Sequence, residues 1–310
     1  MAHIRVLVRL LIEETRLVLE TRQWPDNELF LRAAYLAFLK REPNESSLQY
    51  YLEALEHKSL DRRGVLISIV QSPEFRQFYG PPINPLDAEH RSRMMLVQQC
   101  LPPAEVIVDL GGAAENSREG ALLIMGYSHR PREIIIVDLP PTQRIWQANA
   151  EPFQSFVTTD GTSVRYLYRS MTDLAPIRDE SVDLVWSGES IEHVTEAEAD
   201  LVCQEAYRVL KPDGYFCLDT PNAALTRLQS PDAFIHPGHK KEYYVHELRM
   251  KLERWGFQIV EAKGICPMAQ SLQRGVFDIG EIVSNIGLSD KPEESYMFFL
   301  KAAKPLCGVP

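Results

Sequence analysis

The sequence predicts an α/β protein in two parts: a doubly wound, mostly parallel sheet of seven strands over residues 101–306, behind an all-helical domain over residues 1–80. Three observations carry this. From about residue 101, short apolar runs alternate with amphipathic stretches, the pattern of a parallel sheet with helices on both faces. The first of those runs, Val106–Leu110, ends in Gly-Gly. Ahead of the segment Gly80-Pro81-Pro82-Ile83-Asn84-Pro85 only helical periodicity is found, and that segment reads as a stiff domain linker.

The elements follow in order. The leucine- and valine-rich run at residues 4–19 is broken by Arg5, Arg9, Glu13, Glu14 and Arg16. It lacks a continuous apolar core or a small-residue cleavage site, so it reads as an amphipathic packing helix and not a signal peptide, with membrane-surface or partner docking as the alternative. Helices are predicted at residues 27–40, 46–57 and 61–71, with Pro43 stopping the first. Residues 81–100 are the linker and a lead-in helix from about residue 87. Strands are predicted at residues 106–110, 134–137, 164–168, 182–186, 215–218, 257–262 and 296–301, the last two as a late hairpin-like pair. Helices are predicted at residues 196–210 and 245–255.

Composition narrows the class. The chain has 310 residues, 45% hydrophobic and 25% charged, with a net charge of −10. That is a globular composition, and the acidity argues against a broad nucleic-acid footprint or an anionic membrane partner. No run of about 20 apolar residues could span a bilayer. Five scattered cysteines without a CxxC pair argue against a disulfide framework or structural zinc, so a cytoplasmic location is expected.

The chemistry-bearing segments lie at strand ends, where ligands sit in open α/β sheets. Asp109, Gly111 and Gly112 close the first strand, and glycines there let a cofactor approach the backbone. G-x-G-x-x-G is absent, which weakens a dehydrogenase reading. Asp138 closes the second strand and could accept hydrogen bonds from vicinal ribose hydroxyls, with a turn or cap aspartate as the plain alternative. Ser187 lies just beyond the fourth strand. Glu189, Glu192 and His193 follow at i, i+3, i+4 spacing, which on a helical turn would project from one face. Thr195-Glu196-Ala197-Glu198 reads as a capping box opening the next helix.

Four segments in this order resemble class I S-adenosylmethionine-dependent methyltransferases. They are Asp109-Leu110-Gly111-Gly112; Met171-Thr172-Asp173-Leu174-Ala175-Pro176; Glu192-His193-Val194; and Arg208-Val209-Leu210-Lys211-Pro212-Asp213-Gly214. The resemblance implies a Rossmann-like methyltransferase sheet and S-adenosylmethionine as cofactor. It places Met171, Thr172 and Asp173 near the adenine, with Asp109, Gly111, Gly112, Asp138 and Ser187 completing the cofactor site. Glu115 stands where that pattern has its last glycine.

The string Glu189-Ser190-Ile191-Glu192-His193 is similar to that of metal-dependent methyltransferases acting on hydroxyls, the small-RNA ribose enzymes among them. That likeness implies Mg²⁺ or Mn²⁺ held by Glu189, Glu192, His193 and His239, with His236 a poorer candidate. The plain alternative is that Glu192 and His193 only pack within the fold. The loop His236-Pro237-Gly238-His239 and the helix after it resemble those of bacterial enzymes that modify sugars and surface glycans. Residues 30–35, 39–43, 50–55 and 72–75 resemble a small helical domain of bacterial surface, glycan-associated and phycobilisome-linker-like proteins, implying a docking role toward a protein partner.

The expectation is therefore O-methylation of a sugar or glycan hydroxyl, with His193 as first candidate base and His239 as second. Two alternatives are carried. One is N- or C-methylation of another small molecule without a metal. The other is a methyltransferase fold that only binds, which the Glu115 departure favours.

Overall fold

A computed structural model describes residues 25–75, 84–114, 117–144 and 152–306. The helix expected at residues 4–19, and Glu115, lie outside the described residues. The chain divides into two compact units, Met1–Asp87 and Ala88–Pro310, a few residues later than the expected break at residue 80.

In the first unit the described residues form α1 (Asn27–Leu39), α2 (Glu45–Glu56) and α3 (Arg62–Gln71). Each begins at an acidic or amide cap: the side chains of Asp26, Asn44 and Asp61 accept from backbone N–H groups that would otherwise lack partners. Phe30, Leu31, Ala34 and Phe38 recur at helical spacing on α1 and bury against Leu66, Ile69 and Phe75. Helix α4 (Pro85–Cys100) crosses the boundary into the second unit.

The second unit is a mixed sheet with helices. In chain order it comprises β1 (Val106–Leu110), α5 (Ala121–Ile124), β2 (Glu133–Asp138), β3 (Phe156–Val157), β4 (Ser163–Tyr168), β5 (Val182–Gly188), α6 (Glu196–Val209), β6 (Leu210–Pro221), α7 (Ala223–Gln229), α8 (Val245–Arg254), β7 (Gln258–Pro267), α9 (Ala269–Arg274), α10 (Ile279–Ser284), β8 (Leu288–Ser289) and β9 (Ser295–Ala303). The sheet order is β3-β4-β2-β1-β5-β6-β9-β7-β8. Strands β4, β2, β1, β5 and β6 run parallel, and β9 is antiparallel to both β6 and β7.

The expected seven strands become nine among the described residues. The additions, β3 and β8, are two-residue edge strands. An alternating hydrophobic pattern needs about four residues to be visible, so neither left a signal in the sequence. Every residue of β1 is buried, as a strand covered on both faces requires. Thr195 and Glu198 do form the capping box that starts α6.

The site is positioned by the winding. The chain goes from β1 outward to β2 and β4, then returns to pair β5 on the other side of β1. The connections therefore leave β1 and β5 in opposite directions and open a crevice at their carboxyl ends. After β1 and β2 the described segments hold the four-residue α5 and a 3₁₀ turn, Pro141–Gln143.

Candidate functional site

A cavity of about 290 Å³ opens at the β1/β5 switch point. One wall is built by Gly111, Asp138, Ser170 and Met171, the other by Glu189, Ser190, His193 and Gly238. Gly111 has φ +72°, and a Cβ there would come within 2.8 Å of Ser190 Cβ. The end of β1 and the turn after β5 thus approach too closely for any other residue.

Gly112 is a glycine for a different reason. A Cβ at this position would lie 2.1 Å from the Asp109 carboxylate. Asp109 therefore sits beneath the loop and not in the cavity. It is 1% exposed, its Oδ2 has no hydrogen-bond partner, and burial, then the nearby Asp138 charge, push its pKa up to about 7.

Asp138 does line the cavity. Its Oδ2 accepts from Ala113 N at 3.1 Å and its Oδ1 from Leu139 N at 2.7 Å. Arg144 Nε lies 3.2 Å from Oδ1. A carboxylate offers about four lone-pair sites, so one remains on Oδ2 for an incoming hydroxyl. Burial raises the Asp138 pKa against the opposing charge of Arg144.

Three further residues expected at the cofactor lie outside the lining. Thr172 bonds Ser170 through its hydroxyl, Asp173 pairs with Arg169 at 2.6 Å, and Ser187 is fully buried against the Ser190 hydroxyl at 2.6 Å. In each case a local polar partner turns the side chain away. Ser170 and Arg169 reach the cavity instead, and Arg169 Nε is buried there without a hydrogen-bond partner.

The expected one-face cluster of Glu189, Glu192 and His193 does not form. Glu189 has φ +48° and Ser190 φ −132°, neither of them helical, so Ile191–His193 alone makes a turn here, and it is 3₁₀. Glu189 is drawn to Arg93, whose guanidinium also clasps Asp219 with Nε–Oδ2 at 2.8 Å and Nη2–Oδ1 at 3.2 Å. Glu89 hydrogen-bonds Glu189, and burial together with the Glu189 charge holds Glu89 well above the carboxylate range.

Glu192 turns inward. It is 1% exposed, its Oε2 accepts from Thr220 Oγ1 at 2.9 Å, and its Oε1 has no partner. Burial, then the Glu189 charge, push its pKa up to about 8, so it is protonated at neutral pH. The four-ligand Glu189, Glu192, His193, His239 metal set is therefore corrected: neither carboxylate joins the histidines.

The histidines do come together. His193 and His239 ring centroids are 5.0 Å apart, His236 and His239 5.3 Å, and His193 and His236 5.6 Å. His193 Nδ1 lies 3.2 Å from Gly238 O. A carbonyl only accepts, so Nδ1 carries the proton and Nε2 keeps its lone pair. Burial, then His239, lowers the His193 pKa and keeps the ring neutral. His239 is buried and donates from Nδ1 to Glu242 Oε1 at 2.9 Å. Glu242 also accepts from Thr226 Oγ1 and Ile235 N. Burial works against its ionisation, but these bonds prevail and its pKa is lowered. The role of Glu242 went unread in the sequence, although its place three residues after His239 was the available signal. Arg144 and Arg169 gave none, since arginines on loops carry no pattern.

Residues 120–218 match the methyltransferase domain family. These residues carry a methyltransferase domain. Its helical unit is separate: residues 20–79 match a domain of unknown function, DUF4214. A protein of Mycolicibacterium smegmatis named a probable S-adenosylmethionine-dependent methyltransferase is 37% identical over 90 residues, 29% of this chain. The chain spans about a third of that curated relative, 34% of its length. Among solved structures, the chain is similar to the methyltransferase in complex with the Haloferax volcanii Trm112 activator (19% identity, TM-score 0.48, 71% of this chain and 91% of that one). It is also similar to a methyltransferase from Thermotoga maritima (18% identity, TM-score 0.47, 70% and 91%). Among the described residues no helix is long and apolar enough to cross a membrane.

Proposed function

We propose that this methyltransferase domain uses S-adenosylmethionine to methylate a hydroxyl of a sugar or glycan. The adenosine portion sits on the Gly111, Asp138 and Met171 wall. Residues fit it there: Gly111 and Met171 line that wall, and Asp138 keeps one acceptor site for a ribose hydroxyl. The acceptor enters on the opposite wall.

One observation carries the choice of a hydroxyl. His193 lines that wall as a neutral imidazole whose Nδ1–H is held by Gly238 O, leaving the Nε2 lone pair as a proton acceptor. An amine or thiolate nucleophile has little need of such a base, whereas a hydroxyl does. The acceptor oxygen attacks the methyl carbon and the carbon–sulfur bond breaks. The bonding pair stays on sulfur, and the hydroxyl proton passes to the His193 side. Orienting these atoms in line supplies several kcal/mol of the barrier reduction. The helical unit serves as a docking module for a protein partner.

Calorimetry with S-adenosylmethionine, followed by a sugar and glycan acceptor screen read as S-adenosylhomocysteine release, tests this. Micromolar binding with release on a hydroxyl acceptor is expected. Binding with transfer only to amines or thiols would overturn the hydroxyl reading, and the absence of binding would leave a domain that has lost its chemistry.

A further inference from the structure

We infer that His193, His236 and His239 form a three-imidazole site for a transition-metal ion, zinc or a close neighbour, at the acceptor wall of the cavity. The inference deepens the hydroxyl-methylation reading and rests on it only for the metal's role in turnover.

The first support is geometry. One ring nitrogen from each of the three histidines lies within 4.8 Å of those of the other two. A zinc–nitrogen bond is about 2.0–2.1 Å, and a ring centroid lies about 1.1–1.2 Å beyond the nitrogen. Three imidazoles on a tetrahedral ion would therefore have centroids about 5.2 Å apart. The observed separations, 5.0, 5.3 and 5.6 Å, bracket that value.

The second support lies behind the ligands. Metal-bound imidazoles donate their other N–H to a carboxylate or carbonyl, which fixes ring and tautomer. His239 does so to Glu242 and His193 to Gly238 O. Glu242 is anchored by Thr226 and Ile235 N, so the oriented carboxylate is itself held.

The third is the donor set. With Glu189 tied to Arg93 and Glu192 buried and turned inward to Thr220, the site offers nitrogen and not oxygen. Imidazole favours zinc, copper, iron and nickel, whereas Mg²⁺ takes oxygen ligands. The Mg²⁺ or Mn²⁺ expectation changes accordingly.

The three ligands are not equal. Gly238 N donates to His236 Nδ1 at 3.0 Å, which places the His236 proton on Nε2. His236 must exchange tautomer or give up that bond to ligate, so it is the weakest of the three. Three protein ligands leave a fourth position open, the arrangement of catalytic rather than structural sites. Because His193 lines the cavity, an acceptor hydroxyl can occupy that position. A bound ion would lower the hydroxyl pKa so that its proton could pass to solvent in the open cavity, with His193 Nε2 then a ligand in place of the base.

The test uses tag-free full-length protein, stripped with a chelator and titrated with Co²⁺ while visible absorption is followed, without methyl donor or acceptor. Expected are one equivalent bound, the intense visible bands of a low-coordinate nitrogen site, and displacement by Zn²⁺ but not by excess Mg²⁺. His239→Ala should abolish the bands and His236→Ala should only weaken binding. Glu242→Gln, which keeps size and fold, should weaken it about 10- to 100-fold. Circular dichroism reports folding of each variant. No bands with folded wild type, or equal affinity in wild type and Glu242→Gln, would overturn the site. Methyl transfer undiminished in the stripped enzyme would remove the metal from turnover while leaving the methyltransferase reading intact. Metal binding without transfer to any hydroxyl would do the reverse.

Discussion

Replacing Glu192 by Gln should stabilise the protein at alkaline pH and leave it nearly unchanged at acid pH. The carboxyl is 1% exposed, one oxygen is met by Thr220 and the other by nothing. Its pKa rises from an ordinary 4.5 to about 8. Between those values the folded chain holds a proton that the unfolded chain has released, so stability falls as pH rises through the window. At about 1.4 kcal/mol for each pH unit between the two pKa values, the full effect is about 5 kcal/mol, a ceiling that relaxation and water entry reduce. Gln presents the same shape as the protonated acid and never ionises. Urea unfolding at pH 5 and pH 9 measures the difference: the variant should match wild type within about 1 kcal/mol at pH 5 and exceed it by at least about 2 kcal/mol at pH 9. Asp109, raised to about 7, contributes with the same sign to both proteins and cancels in the comparison. An equal difference at both pH values would refute a protonated Glu192 and return it to the candidate ligands.

Three further outcomes are expected. Arg93→Met leaves fully buried Asp219 without its cation and should cost about 3–5 kcal/mol, lowering Tm by roughly 10 °C in a domain of this size; a fall of only a degree or two would show that water compensates Asp219. Asp138→Asn removes a charged acceptor from the ribose site and should weaken S-adenosylmethionine binding about tenfold or more by calorimetry, and unchanged affinity would move the ribose elsewhere. His193→Ala should lower turnover by about 10²- to 10⁴-fold. Because burial lowers the His193 pKa, the ring stays neutral to more acid pH, and the acid limb of the wild-type rate profile should break below the ordinary imidazole value of 6.5; a break above it would exclude His193 as the group that must be unprotonated.

What the sequence revealed divides along a physical line. Strand ends were legible because burial on both faces writes long apolar runs, as in Val106–Leu110. Gly111 and Asp138 were legible because a close backbone approach and a strand-end acid leave residue types that few other positions need. Asp109 and Ser187 shared those signatures, yet their side chains turn away from the cavity. Asp109 is held under Gly112 and Ser187 against Ser190, and neither contact leaves a mark on sequence spacing. Glu189 and Glu192 misled for a related reason. Their i, i+3 spacing aligns side chains only on a helix, and the positive φ of Glu189 breaks that alignment.

That same break explains how the histidine loop is held. With its carboxyl turned inward, Glu192 offers its backbone oxygen to the loop, accepting from Lys240 N at 2.7 Å and Lys241 N at 3.2 Å. One residue on, His193 donates to Gly238 O. Past the histidines, Glu242 ties back to Thr226 on α7, and Tyr243 pairs with Asn222 at the end of β6. Residues 236–243 are therefore fixed to the post-β5 turn at one end and to β6 and α7 at the other. Two imidazoles on a free loop would lose much conformational freedom on meeting His193, and that cost would weaken any joint function. Here most of it is met during folding. The Glu-His pair thus acts through a backbone carbonyl and one ring, not through two ligands on a helical face.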